Sequence, residues 1–243
     1  FKNMAQFDPL AFLYPVAKAS KRLGCRIFQQ TGAREIGDNV VVTDEAQIRA
    51  SHIVMATHTP LGFHPFLQGK VFPFQSYVIG AKIKEEVPEG LFWDMKDPYH
   101  YMRSVDIGSE RLCLIGGADH RTGAKAQDPY GALQAYARKN FSVESVEFAW
   151  SSQFFKSADG LPYIGRVSKD ENFWFATGYE GNGMTFGVTA ASILSDLIQD
   201  NVNEFASVFD PRRLNLAHSG KRLLKESFGT AKEFIKDRIE RPD

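Results

Sequence analysis

"FWFATGYEGNGMTFGVTAASILSDLI", Phe173–Ile198, sets an apolar strand-like run against a helical run, with a glycine-rich turn between them. The dinucleotide pattern needs G-x-G-x-x-G at such a junction, for a tight turn, close approach of a pyrophosphate and close packing of helix on strand. Gly181, Gly183 and Gly187 are spaced G-x-G-x-x-x-G, one residue too long. The pattern also needs an acidic residue about 20 positions on, at the end of a second strand. Asp200 has that spacing but follows the helix. The glycines therefore suggest a different use. A helix opened by glycines bares backbone N–H groups at a positive dipole end, which suits an anion or a developing negative charge. Gly181, Asn182, Gly183, Met184 and Thr185 are the candidate contacts. The plainer alternative is a permissive strand end, since glycine tolerates positive φ.

Two upstream stretches belong with this turn. "DGLPYIG", Asp159–Gly165, is by composition a turn, and its place directly before the glycine turn suggests a shared ligand through Gly160 and Leu161. "MATHTP", Met55–Pro60, ends an apolar strand in small and hydroxyl residues. Ligands of α/β sheets sit at the carboxyl ends of strands, so Ala56, Thr57 and Thr59 are candidate contacts, with a mere domain connection as the alternative.

The rest of the chain fits an α/β class. "DPLAFLYPVAKASKRLG", Asp8–Gly24, has helical apolar spacing, an acidic start, basic residues late and a glycine stop. "CRIFQQT" and "VVVTDEAQIRASHIVMAT" read as strands, the last nearly all apolar, as a strand buried on both faces should be. From His64 the texture changes to alternating, aromatic-rich segments, "KVFPFQSYVIGAKI", "LFWDMKDPYHYMRSV", "RLCLIGGADH" and "VESVEFAWSSQFF", with one helix in "PYGALQAYARKNF". The expected organisation is a discontinuous first domain, 1–63 and 158–200, interrupted by a mixed or antiparallel sheet domain at 64–157 and followed by a helical tail at 201–243.

Composition narrows the function classes. The chain has 243 residues, zero net formal charge, 43% hydrophobic and 24% charged residues, which is ordinary for a soluble globular protein. Without a basic run, nucleic acid and anionic membrane are disfavoured as partners, and no apolar run approaches the roughly 20 residues of a bilayer span. Cys25 and Cys113 are distant and lack metal-type spacing, which suggests a reducing, cytoplasmic setting. The histidines form no ligand pattern, so no metal is expected, and no G-x-S-x-G elbow occurs. In "YHYMRSVD" the period-two alternation puts Tyr99, Tyr101 and Arg103 on one strand face. Arg103 there is either solvated or aimed into a cavity, where it would clamp a carboxylate between tyrosine walls.

Taken in order, "SHIVMATHTP", "GLPYIG" and "FATGYEGNGMTFGVTAASILSDLI", flanking an aromatic sheet domain, resemble the FAD-dependent oxidoreductases of the D-amino-acid oxidase and glycine oxidase superfamily over roughly Phe7–Ile198. "WSSQFFKSADGLPYIG" and "FDPRRL" resemble the subgroup that carries a C-terminal Rieske iron–sulfur domain. The resemblance implies part of an FAD-binding Rossmann-like domain with an inserted substrate domain. It implies the flavin ring near the backbone N–H groups of Gly183, Met184 and Thr185, and oxidation of an amine or amino-acid C–N bond by hydride transfer, with no strong side-chain base. Tyr77, Tyr101, Arg103 and Gln153 are the expected substrate-shaping residues. Gln153, or its neighbour Phe154, stands near where the amino-acid oxidases tend to carry an arginine, which argues against a glycine-oxidase-like carboxylate clamp there. The family's opening G-x-G-x-x-G unit and the Rieske ligand pairs, which would hold a [2Fe–2S] cluster, are not in the sequence. The chain is thus expected to be the flavin-proximal portion of a longer protein, to bind FAD weakly alone, and to pass electrons to oxygen or an iron–sulfur partner. The competing expectations are a non-catalytic binding module and an NAD(P)-dependent dehydrogenase using Gly181–Gly187 as a phosphate loop.

Overall fold

The computed structural model describes residues 5–37, 39–58, 67, 69–124, 127–168 and 172–213. Within them the first half of the chain forms α1 (Pro9–Arg22), β1 (Ala33–Gly37), β2 (Val40–Thr43), β3 (Gln47–Arg49), β4 (Ile53–Met55), β5 (Val71–Ile83), β6 (Leu91–Trp93) and β7 (Tyr101–Ile107). The second half forms β8 (Glu110–Arg121), α2 (Pro129–Asn140), β9 (Val143–Ser157), β10 (Tyr163–Gly165), β11 (Phe173–Thr177), α3 (Gly183–Ile198) and α4 (Ala206–Phe209). The expected tail helix beyond 213, together with Thr59 and His64, lies outside the described residues. The fold class is α/β with several sheets. The chain divides into two compact units, one of the residues through Phe7 with Pro73–Phe154, the other of Asp8–Phe72 with the residues from Phe155 onward.

In the second of these units, α1 begins where Asp8 accepts hydrogen bonds from the N–H groups of Leu10 (2.7 Å) and Ala11 (2.9 Å). That satisfies two of the donors left orphaned at a helix start. Lys21 and Arg22 complement the other end of the dipole. The stretch "CRIFQQT" forms no strand, contrary to its apolar pattern: Ile27 and Phe28 are exposed and Gln30 takes a φ of +53°. Pairing starts only at β1, which joins β2 and β3 in an antiparallel sheet.

The sheet that places the site has the order β10-β11-β4, with β11 parallel to β4 and antiparallel to β10. Alternation along β11 sends Trp174 and Ala176 to one face, where Ile164, Ala190, Ile193, Leu194 and Phe209 pack on them. On the other face Phe173 and Phe175 meet Met55, Leu67, Val71, Phe155 and Tyr163. β11 is thus covered on both sides, whereas β4 is not: Ile53 and Met55 are buried but Val54 is 44% exposed. The expectation of a strand buried on both faces, drawn for the segment that forms β4, fails there: among the described residues β4 has a packed layer on one side only.

The other unit is a five-stranded sheet, order β6-β7-β8-β5-β9. Its core lies between the sheet and α2, where Ile79, Cys113 and Ile115 meet Leu133 and Ala137. "LFWDMKDPYHYMRSV" is two strands rather than one, β6 and β7, joined by a turn in which Asp94 accepts from the His100 backbone N–H at 2.8 Å.

Candidate functional site

Parallel strands end on the same side of a sheet, and the register Phe175↔Met55 puts the carboxyl ends of β4 and β11 side by side. Tyr163 pairs with Thr177, so the antiparallel β10 begins at that edge too. Three segments singled out by sequence therefore meet at one edge of one sheet: Ala56–Thr57 after β4, Gly160–Leu161 before β10, and Gly181–Thr185 between β11 and α3. The Thr177 hydroxyl donates to the His58 carbonyl at 2.6 Å and ties the first segment to the third. Burial pulls the His58 imidazole below its ordinary pKa. The Glu180 N–H donates to the Phe155 carbonyl (3.1 Å) and the Glu180 carboxylate accepts from the Ser157 N–H (2.8 Å), tying the glycine turn to the end of β9.

The local chemistry of the turn suits a ligand. Gly178 has a φ of +75°, and a Cβ there would lie 3.2 Å from that of Ser157, so glycine is needed for close approach of the chain. Gly181, at φ +87°, and Gly187 have nothing within 4 Å of a built Cβ, and Gly183 only a ring carbon at 3.9 Å. Asn182, at the N-cap of α3, makes no side-chain capping bond. The N–H groups of Gly183, Met184 and Thr185 thus keep their donors at the positive end of a helix of 16 residues. Ala56, Thr57, Gly160 and Leu161 are all exposed along the same edge.

The residues expected to shape a substrate lie in the other unit and do not all share a face. Tyr101 pairs with Gly116 and Tyr77 with Gly117, so their side chains point to opposite sides of the sheet. Tyr77 packs toward α2, its hydroxyl 2.9 Å from His120 Nε2. The His120 Nδ1 faces the Arg121 carbonyl at 2.8 Å, which requires an N–H there. In the neutral imidazole the Tyr77 hydroxyl is then the donor to Nε2. On the opposite face Tyr101 lies across Gly116 and bonds Ser76 Oγ at 3.1 Å. Arg103 shares that face; its Nη1 donates to the Phe7 carbonyl at 3.2 Å, while its buried Nε has no hydrogen-bond partner among the described residues. Tyr99 precedes β7 instead of lying on it, with its ring 5.9 Å from that of Tyr101. Burial, with Asp119 and Tyr101 nearby, pushes its phenol up to about 12, and burial raises Tyr101 as well, so both hydroxyls stay protonated donors. Gln153 donates its amide N–H to Thr122 Oγ1 at 3.1 Å.

Sequence reasoning passed over Glu180, Ser157, Lys70 and Arg213, whose partners are distant in sequence. Arg213 makes a bidentate pair with Asp159, at 2.6 Å for both bonds. Burial works to raise the Asp159 carboxyl, but the Arg213 hydrogen bonds and charge outweigh it and hold the group below the usual carboxylate range. Among the described residues, no three His, Cys, Asp or Glu side chains group as metal ligands, and no helix is long and apolar enough to cross a membrane.

A helix opening without a capping side chain at the carboxyl edge of a part-parallel sheet is the place where α/β proteins receive their ligands. The chain belongs to the FAD dependent oxidoreductase family, whose profile matches residues 1–197. It is 32% identical, over its whole length, to the protein of Bacillus subtilis (strain 168) named as a Rieske 2Fe-2S iron–sulfur protein, YhfW, covering 49% of that protein. It is 22% identical to the gamma-glutamylputrescine oxidoreductase of Escherichia coli (strain K12), over 95% of this chain and 57% of the other. Among solved structures, L-proline dehydrogenase from P. horikoshii superposes with a TM-score of 0.69 at 19% identity, over 85% of this chain and 59% of that one. Glycine oxidase from Geobacillus kaustophilus gives 0.67 at 19%, over 83% and 57%. The chain thus spans about half the length of the curated relatives it matches.

Proposed function

We propose that the protein of which this chain forms part binds FAD and oxidises a C–N bond of a small amine or amino acid. The observation that carries this is the convergence of Ala56–Thr57, Gly160–Leu161 and Gly181–Thr185 on one sheet edge beside the uncapped start of α3. FAD, when bound, supplies the acceptor for a hydride equivalent. The N–H groups of Gly183, Met184 and Thr185 would hold the ring edge and offer donors to negative charge there. Gly160 and Gly181 keep side chains out of the way, and Leu161 supplies an apolar contact. In the sheet unit, Tyr101 and Arg103 shape the substrate: the buried Arg103 Nε is a donor suited to a carboxylate. Tyr77 and Gln153 act from behind, through His120 and Thr122, in keeping with their bonds. The unit containing Pro73–Phe154 is accordingly the substrate side, and the one containing α3 the flavin side.

The likeness to YhfW supports an iron–sulfur domain as the electron acceptor, held outside this chain. Unpaired Cys25 and Cys113 support a reducing, cytoplasmic setting. The test is to express the longer reading frame and record its visible spectrum. A yellow protein that bleaches anaerobically on adding an amine or amino acid is the expected result. A colourless one, even with FAD added, sinks the reading in favour of a non-catalytic module.

A further inference from the structure

The buried charges beneath the Asp159–Pro162 turn form a densely bonded polar cluster. A guanidinium has five N–H donors in a fixed fork, and all those of Arg213 are used. Nε donates to Asp159 Oδ2 (2.6 Å), and Nη2 to Asp159 Oδ1 (2.6 Å) and to the Leu161 carbonyl (2.5 Å). Nη1 donates to the carbonyls of Pro162 (2.8 Å) and Asp210 (3.3 Å). The Arg213 side chain is 13% exposed and that of Asp159 3%. The Tyr163 ring lies 4.1 Å from the guanidinium carbon, a stacking distance that fixes its plane. The backbone of Arg213 is held in turn: Lys70, 8% exposed, donates to the carbonyls of Pro211 (2.9 Å) and Arg213 (3.1 Å).

Here two of the five bonds go to consecutive backbone carbonyls of the turn, so the guanidinium dictates the direction of those peptide planes. Among the described residues the side above is open: Gly160, at φ +83°, has none of their atoms within 4 Å of a built Cβ, and Leu161 is 39% exposed. A turn tethered from below and bare above is a preorganised contact surface, the arrangement in which binding loses least to ordering.

We propose that Arg213 is a positioning residue that sets the Gly160–Leu161 tip for its ligand, a role that rests on the reading of that tip as a flavin contact. The residue acts from the segment after α4, 54 positions from its partner Asp159.

The test compares wild type, Arg213→Lys, Arg213→Met and Arg212→Met in the longer protein. FAD is titrated into each apoprotein, and the midpoint potential of the flavin is read at saturation. Lysine keeps the charge beside Asp159 but cannot also hold both carbonyls. Its FAD Kd is expected to rise roughly tenfold, as loss of a hydrogen bond to a charged group implies, and the potential to shift. Arg212→Met, which breaks only the pair with Asp210, should leave both unchanged. A folded Arg213→Lys protein with wild-type Kd and potential overturns the proposal. So does an Arg213→Lys protein that fails to fold, since Arg213 then supports the fold and nothing more specific. If the wild type itself takes up no FAD, the flavin reading has failed separately. Amide hydrogen exchange at Gly160 and Leu161 then decides: faster exchange in Arg213→Lys keeps the positioning role, and equal exchange removes it.

Discussion

At the scale of single residues, burial makes charge and volume unforgiving. The Asp159 side chain is nearly inaccessible and makes a bidentate pair with Arg213, with the Lys70 ammonium as a second positive charge acting on it. Removing one partner of such a pair leaves the other charge uncompensated, at a cost of about 3–5 kcal/mol. Asp159→Asn is therefore expected to lower stability by that amount near neutral pH, measured by urea unfolding. Because the folded-state pKa is depressed, the contribution is fully present above the ordinary carboxylate value of about 3.9. It is lost as pH falls through the folded value. Wild type and Asp159→Asn should consequently converge in stability below pH of about 4, and parallel curves would refute the assignment. Volume rules at Gly116, where a built Cβ lies 2.1 Å from Tyr101 Cζ. Gly116→Ala must displace the ring and break its 3.1 Å bond to Ser76. The expected cost is about 1–3 kcal/mol, and an unchanged urea midpoint would show that the ring has another resting place.

At the scale of elements, α3 is placed by an apolar stripe more than by its own ends. Ala190, Ile193, Leu194 and Leu197 recur at helical spacing and cover Trp174 and Ala176 of β11. Ile193, 1% exposed, sits in the middle of that contact. Ile193→Ala is expected to cost about 2–5 kcal/mol and to loosen the helix start that faces the proposed ligand. Thermal melts of the longer protein with and without FAD measure both effects, and a melt unchanged in either condition would contradict them. This pair of elements was legible in the sequence, because a strand covered on both faces reads as an unbroken apolar run, Phe173–Ala176, and the helix on it carries its period of 3.6 over Gly183–Ile198. Edges were not legible. Val54 looks like its buried neighbours in composition, yet it is 44% exposed because no layer of the described residues packs on that side. "CRIFQQT" has strand-like residues but no strand pairs with it, and pairing is a property of the tertiary fold. The same limit hid the polar ties of the site. Asp159 and Arg213 both lie in stretches singled out by sequence, yet no spacing rule joins residues 54 apart. Tyr77 and Tyr101 shared an expected role until the register of β5 and β7 on β8 put them on opposite faces.

At the scale of the whole molecule, the candidate flavin contacts and the candidate substrate residues fall in different compact units, and that separation has a thermodynamic signature. A ligand that binds only the folded state stabilises it by mass action, by about 2.7 kcal/mol at a hundred times its Kd. The longer protein is therefore expected to melt at a higher temperature with FAD than without it. Substitutions that share no partner with the flavin edge should subtract from stability without changing this increment, since independent effects add. Gly116→Ala, within the sheet unit, should lower the melting temperature equally with and without FAD. Arg213→Lys, beneath the Gly160–Leu161 tip, should instead shrink the increment itself, because at fixed FAD concentration a higher Kd lowers the ligand's contribution. A scan of both variants at several FAD concentrations separates the two behaviours. If Gly116→Ala also shrinks the increment, the flavin draws on the Tyr101 face as well, and the division of labour between the units is refuted.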